Sequence, residues 1–387
     1  MDSGIDNLDR QLAQLTATFA ADAAAHDRDG SFPRENFALL HRHGLLSLTV
    51  PTDFGGGGAG LATAMRVIAA VARGEPSTAL ILAMQYLYLQ RAGAEPWPAH
   101  LRERVYRDAV MAGALGNALR VEPEQGTPLR GGLPATTARR VPEGWSISGH
   151  KLYSTGVAGL TWLGVWARTD EDEPRVGTFL VPAGSTGIRI VESWDHLGMR
   201  ATGSHETLFD NVVVPEDHAV DIRPPAQWMN SVDPLGLAWN VTLIGAIYDA
   251  IARNARDWLV EFLAARKPSN LGAPLSSLPR MQEAVGLIEA LVFANRKLLD
   301  DAATAVDRGR PPSAVEAGLV KFLVTQNAVK AVETALELTG NHGLSRNNPL
   351  ERHYRDVMCS RIHSPQNDSI LTAAGRARFA RRQDAAA

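Results

Sequence analysis

From residue 5 to about residue 110, apolar side chains recur at steps of three and four. Leu8, Leu12, Leu15 and Phe19 fall on one face of a helix at that spacing. The pattern breaks at Val50-Pro51 and at Gly55-Gly56-Gly57-Gly58, because proline lacks an amide donor and glycine has low helix propensity, and it resumes near Leu61. Between about Gly113 and Arg223 the period changes to short β-branched or aromatic runs, Trp145 to Gly149, Leu163 to Ala167, Gly177 to Val181 and Asn211 to Val214, which predict strands. Beyond Pro234 the spacing is helical again through Ile247, Ile251, Trp258 and Phe262, then Met281 to Val292, then Val315 to Leu336. Turn chemistry separates these helices at residues 267–272 and 309–312, with Ser313 as a helix N-cap. The expected organisation is a helical N-terminal domain over residues 1–112, a β domain over 113–225 and a helical bundle over 226–387. Each zone must bury its apolar face against a neighbour, so ligand sites are expected in the clefts between them.

The 387 residues carry 39 Lys and Arg against 42 Asp and Glu, a net charge of -3, which gives no basic field for nucleic acid or anionic lipid. A single cysteine, Cys359, excludes an intramolecular disulfide framework and a cysteine-rich metal site; no metal is expected. The first ten residues are polar and charged, and no window holds the ~18 uninterrupted apolar residues of a membrane span, so a cytoplasmic protein without membrane partners is expected.

With the helix, strand, helix order in place, several short motifs resemble the acyl-CoA dehydrogenase superfamily of flavoproteins, from about Phe37 to Asp368. Glu122-Pro123-Glu124-Gln125-Gly126-Thr127 is similar to the family's flavin-pyrimidine loop, with Thr127 as its hydroxyl. Gly149-His150-Lys151-Leu152-Tyr153-Ser154-Thr155-Gly156 resembles the strand whose end contacts the isoalloxazine, with Tyr153 covering the ring and Ser154 and Thr155 offering hydroxyls. Leu197-Gly198-Met199-Arg200-Ala201-Thr202-Gly203-Ser204-His205 is the most specific match in the middle zone; Arg200 there suits a flavin edge or an acidic neighbour. In the bundle, Arg266 to Leu275 with Gln282, and Glu337-Leu338-Thr339-Gly340-Asn341-His342-Gly343, resemble the two loops that hold the dinucleotide of a neighbouring subunit. Leu271 stands where the family has Phe, Glu337 where it has Gln, and Asn341 where it has Gly.

The resemblance implies an α+β, acyl-CoA dehydrogenase-like fold, with an N-terminal helical domain, a middle β-barrel or sandwich and a C-terminal four-helix bundle. It also implies FAD, or FMN, as cofactor and a homotetramer or homodimer. In the better-known members, a Glu-Gly-Thr follows the Arg-Asp pair and its glutamate removes the substrate α-proton while hydride goes to flavin N5. Here Ser364-Pro365-Gln366 follows Arg355-Asp356 at that spacing, and Gln366 takes the last, flavin-side place. A serine at an ordinary pKa is no general base near neutrality. The first long bundle helix offers no carboxylate at Leu235 to Trp239 either, which leaves His363 and Asp368 as candidate bases.

Two enzyme classes follow. One is oxidation of an acyl thioester, on CoA or a carrier protein, with the base relocated, and the bundle glycines favour it through a resident FAD. The alternative is a flavin-dependent monooxygenase, using reduced flavin and O2 on a small aromatic or heteroatom substrate, which needs no α-proton base. A non-enzymatic, DNA-binding relative would show a basic face, and the near-neutral composition opposes one.

Overall fold

The structure is a computed structural model that describes the backbone over residues 2–124, 132–229 and 233–384 and the side chains over 7–124, 132–228 and 233–380. Five helices come first: α1 (Asp2–Asp29), α2 (Arg34–Arg42), α3 (Leu61–Gly74), α4 (Pro76–Ala94) and α5 (Ala99–Ala112). Leu12, Leu15 and Phe19 bury the inner face of α1, as their spacing predicts. Glu75 caps α4, its carboxylate accepting from Ser77 N and Thr78 N while Pro76 occupies the first turn, where no amide is needed. Gly113, at φ 65, ends α5 in the left-handed conformation that glycine adopts without strain.

Among the described residues eight strands follow: β1 (Leu115–Leu119), β2 (Thr137–Val141), β3 (Gly144–Lys151), β4 (Leu160–Thr169), β5 (Val176–Pro182), β6 (Ile188–Val191), β7 (Glu206–Val214) and β8 (Ala219–Arg223). They form one sheet in the order β6-β7-β3-β2-β4-β5-β8, with β1 added parallel beside β4. No pairing joins the outer strands β6 and β8 among the described residues, so the ladder path stays open. The β4 run Leu160–Thr169 is almost wholly buried, which explains why it reads as continuously apolar rather than alternating.

The remaining chain is helical: the short α6 (Pro225–Met229), then α7 (Pro234–Ala265), α8 (Pro279–Asp307), α9 (Ala314–Thr339), α10 (Asn341–Leu344), α11 (Leu350–Met358) and α12 (Asn367–Asp384). Ser313 does cap α9, in a reciprocal capping box with Glu316. Helix α7 is long and apolar enough to cross a membrane by length and composition, yet 83% of that window is buried inside the protein. It is the central core helix, packed on α3, α4, α8, α9 and α11.

Two long-range devices join the layers. Asp307, at the end of α8, accepts from Leu61 N (2.6 Å) and Ala62 N (3.0 Å), so a bundle residue satisfies two orphan amides of α3. Arg355 on α11 binds Asp27 of α1 through both guanidinium nitrogens (2.8 and 2.6 Å), Glu351 (2.7 Å) and the Leu197 carbonyl (2.9 Å). That fork ties the first helix, the loop before β7 and the bundle to one side chain.

Candidate functional site

The site is built on the turn that leaves β3. Tyr153 adopts φ 53, and its ring is 52% exposed, held edge-on against Trp194 and His196, which are themselves stacked 3.6 Å apart. Burial depresses the His196 pKa, with Asp195 opposing, which favours a neutral ring in that stack. Ser154 and Thr155 turn to different partners in the turn. Ser154 is buried and its hydroxyl accepts from Thr207 Oγ1 (2.9 Å), whereas Thr155 is half-buried at the turn.

Thr155 is held from three directions. Asn117 Nδ2 donates to its carbonyl (3.0 Å), Ser204 Oγ donates to its Oγ1 (3.0 Å), and Thr202 and Ser204 share a hydrogen bond of 2.8 Å behind it. With Ser204 as donor, and Thr202 giving its proton to Ser204 rather than to the Met199 carbonyl (2.8 Å), the Thr155 hydroxyl can turn its own proton to an outside acceptor such as a ring carbonyl. Gly156 N donates to Thr202 O (2.9 Å) and Ser154 N to His205 O (3.1 Å), which locks the β3 turn onto the 199–205 loop.

That loop is pinned in turn by the bundle. Met199 N donates to Asp356 Oδ1 (2.7 Å), a bond between residues 157 apart in sequence. A Cβ on Gly198 would collide with the Arg355 carbonyl, so close backbone approach requires glycine there. Burial pushes the Asp356 carboxyl up to about 7; the Met199 amide opposes the shift and the Asp27 charge adds to it. Arg200 is tied into the fold through two of its three nitrogens, Nε donating to the Asp27 carbonyl (2.7 Å) and Nη1 to the His196 carbonyl (3.0 Å) and Asp195 (3.0 Å). The acidic neighbour Asp195 is in place, and these bonds tie Arg200 to the loop and to α1.

Glu122 and Lys151 form the buried support beneath the turn. Lys151 Nζ donates to Glu122 Oε1 (2.6 Å) and to the Trp166 carbonyl, both side chains are 1% exposed or less, and Glu122 also accepts from Ala135 N and Thr136 N. Burial alone would raise the Glu122 pKa; Lys151, Thr136 and the Ala135 amide together hold it below the ordinary range. Lys151 is therefore a core residue of an interior strand, not a surface lysine. Thr127, in the loop that follows, lies outside the described residues.

The candidate bases separate. His363 lies between α11 and α12, with Nδ1 3.4 Å from Tyr248 Oη of α7, and burial followed by the Lys321 charge pulls its pKa down to about 4. Ser364 gives its carbonyl to Asn240 Nδ2 (3.2 Å), and Gln366 gives its own to Ile370 N (3.0 Å). Asp368 instead sits exposed in the first turn of α12, accepting from Ser369 N (2.8 Å) and facing an outer hollow with Arg376. Sequence reading missed Lys321, which is completely buried on α9 with one long contact to Asn367 Oδ1 (3.4 Å) and a pKa drawn by burial down to about 8. Its signal was a lysine on the inner stripe of an amphipathic helix.

The residues expected from the resemblance to hold a dinucleotide lie towards one end of the bundle. Arg266 follows α7 and is exposed, with no hydrogen bond or ion pair from its side chain among the described residues. Gln282 is exposed nearby, its amide donating to Ser276 O (3.0 Å). His342 packs on Phe262 at 5.3 Å, which brings the α9–α10 turn, with exposed Glu337, Gly340 and Asn341, to the end of α7. Gly340 has φ 54 and open space where a Cβ would be, whereas Gly343 is buried against Thr339 and Leu350 and serves packing. An open glycine, an uncommitted guanidinium and helix ends suit phosphate oxygens.

Comparison with known proteins matches the acyl-CoA dehydrogenase N-terminal domain to residues 7–96, the middle domain to 120–212 and the C-terminal domain to 236–372. YdbM of Bacillus subtilis (strain 168), whose name assigns it provisionally to the acyl-CoA dehydrogenases, is 31% identical over 93% of each chain. The chain belongs to the acyl-CoA dehydrogenase family. It is also similar to the L-evernosamine nitrososynthase of a Micromonospora species, with 29% identity over 95% of this chain and 88% of that one. The structure of KijD3 in complex with FMN and a dTDP-linked amino-keto sugar superposes with a TM-score of 0.85, at 27% identity over 98% and 94% of the two chains. Butyryl-CoA dehydrogenase from Megasphaera elsdenii, at 20% identity over 96% of each chain and a TM-score of 0.86, shares the fold. The protein is thus a flavin-dependent enzyme of this family.

Proposed function

We propose that the protein is a flavin-dependent monooxygenase of the acyl-CoA dehydrogenase family, acting with reduced flavin and O2 on a small heteroatom-bearing or aromatic substrate. The observation that carries this reading is the make-up of residues 363–368. Ser364 stands where a carboxylate base would be, His363 is pulled down to about 4 and abuts the Tyr248 hydroxyl, and Asp368 is exposed on the outer face of α12. None of these combines placement in the cleft with a proton affinity near neutrality. The likeness to L-evernosamine nitrososynthase and to the FMN complex of KijD3 supports the same reading.

The residues present fit a flavin. Thr155 retains a hydroxyl proton for a ring acceptor, Tyr153 offers an exposed ring face beside it, and Arg266 offers an unpaired guanidinium for phosphate. Reduced flavin would supply the electrons with which O2 is divided between substrate and water. The chain's part is to orient the ring through Thr155, to hold the 199–205 loop rigid through Asp356 and Arg200, and to keep His363 neutral beside Lys321. Because the Arg266 and Gly340 end is exposed, a second copy of the chain could use it in a homodimer or homotetramer.

Thioester dehydrogenation is the second reading. It is favoured by the open phosphate-suited bundle end, which suits FAD, and by His363 being neutral and thus able to accept a proton. Stopped-flow mixing of the protein carrying reduced FMN or FAD with oxygenated buffer tests the first reading. Oxygenation predicts slower return of oxidised-flavin absorbance than for free flavin, with little hydrogen peroxide released; return at the free-flavin rate with full peroxide release contradicts it.

A further inference from the structure

On one face of the sheet, Arg120, just beyond β1, stands beside Trp166 of β4, Thr178 of β5 and Asp221 of β8. The next row along the same strands holds Arg168, Val176 and Arg223. Trp228 of α6 sets its ring edge-on to Trp166 at 4.7 Å, and the Arg120 guanidinium lies 4.7 Å above the Trp166 ring.

The charges on this face do not balance. Asp221 is taken by Arg223 through two bonds of 2.7 and 2.9 Å, Glu95 accepts from Trp97 Nε1 (3.2 Å), and Glu122 is taken by Lys151. Arg120 and Arg168 have no ion pair or hydrogen bond from their side chains among the described residues, and each has a buried Nε donor with no acceptor. The segments 125–131 and 229–232 contain no Asp or Glu that could serve them. Burial, then the Arg91 charge, pulls Arg120 down to about 9 against the opposing pull of Glu95 and Asp221. A guanidinium whose Nε is buried without an acceptor lacks a hydrogen bond that water would otherwise supply, and a bidentate oxyanion is the partner its planar fork matches.

We propose that Arg120 heads an anion-binding site, backed by the Trp166 and Trp228 rings, that takes the carboxylate or phosphate group of a small ligand. The site draws on none of the residues assigned above to flavin contact, so it stands or fails separately from the oxygenation reading.

The test is thermal unfolding and tryptophan fluorescence of the full chain, titrated with inorganic phosphate and separately with acetate, at constant ionic strength set by sodium chloride. A saturable response to phosphate alone assigns a phosphoryl ligand, to acetate alone a carboxylate ligand, and to both a general oxyanion site; each supports the proposal. Arg120→Met, which keeps the apolar stem over Trp166, is expected to bind at least tenfold more weakly and to unfold at a higher temperature than the parent without anion. Arg120→Lys retains a response at reduced affinity. No saturable response to either anion, an Arg120→Met response equal to the parent's, or an Arg120→Met protein less stable than the parent without anion overturns it.

Discussion

Lys151→Met removes the cation from a pair that is almost completely out of water. The Glu122 carboxylate, 1% exposed, keeps the Ala135 and Thr136 amides but loses its ion-pair partner, and the Trp166 carbonyl loses its donor. Breaking a buried pair from one side costs about 3–5 kcal/mol, because a lone buried charge remains. The two backbone amides soften that charge, which places the expectation near the lower end, about 3 kcal/mol. The double variant Lys151→Met/Glu122→Leu leaves the Ala135 and Thr136 amides and the Trp166 carbonyl without these partners but no lone buried charge, and is expected to cost less than the sum of the two single variants. Urea unfolding followed at tryptophan fluorescence reads both, because Trp145 and Trp166 lie in the same sheet. The pH dependence gives a second readout. Glu122 is held below its ordinary pKa, so its contribution is present above about pH 4.3 and fades as pH falls through the depressed folded value. In Lys151→Met that acid-side loss is expected to shrink. A single variant costing under about 1 kcal/mol, or a double variant costing the sum of its parts, refutes the reasoning.

Other consequences can be checked in the same protein. Gly198→Ala forces a methyl group into the Arg355 carbonyl and is expected to weaken flavin binding at least tenfold while far-ultraviolet circular dichroism stays unchanged. Thr155→Val removes a hydroxyl placed for the ring and should shift the bound-flavin absorbance and lower affinity, with Thr155→Ser restoring both. Asp356 has a folded pKa raised to about 7, so its carboxyl favours the fold below the unfolded value near 3.9 and loses that contribution as pH rises towards 7. Asp356→Asn keeps an acceptor for Met199 N, and its stability relative to the parent should therefore rise between pH 4.5 and 7.5; parallel urea midpoints across that range count against it.

Much of the architecture was legible because each element obeys one period. The three-and-four spacing of Leu12, Leu15 and Phe19, the short runs in β3, β4 and β5, and Ser313 ahead of α9 all fold as their patterns predict. The site was less legible, for reasons that lie in tertiary packing. Lys151 and Lys321 read as surface residues by type, yet both are completely buried, one against a carboxylate and the other among α9, Asn367 and His363. The motif around Gly198 and the Tyr354-Arg355-Asp356 motif were visible separately, but the bond that joins them spans 157 residues and no local spacing announces it. Arg200 had two readings in sequence, and the bond that ties it to the Asp27 carbonyl, 173 residues away, is likewise announced by no local spacing.

The central claim is that no residue of the 363–368 segment serves as an α-proton base, and anaerobic mixing of the flavin-loaded protein with a panel of acyl-CoAs tests it most directly. The account predicts that flavin absorbance persists with every thioester, for the parent and for His363→Gln and Asp368→Asn alike. Rapid bleaching by an acyl-CoA, abolished by His363→Gln, would contradict it and establish thioester dehydrogenation with histidine as the base.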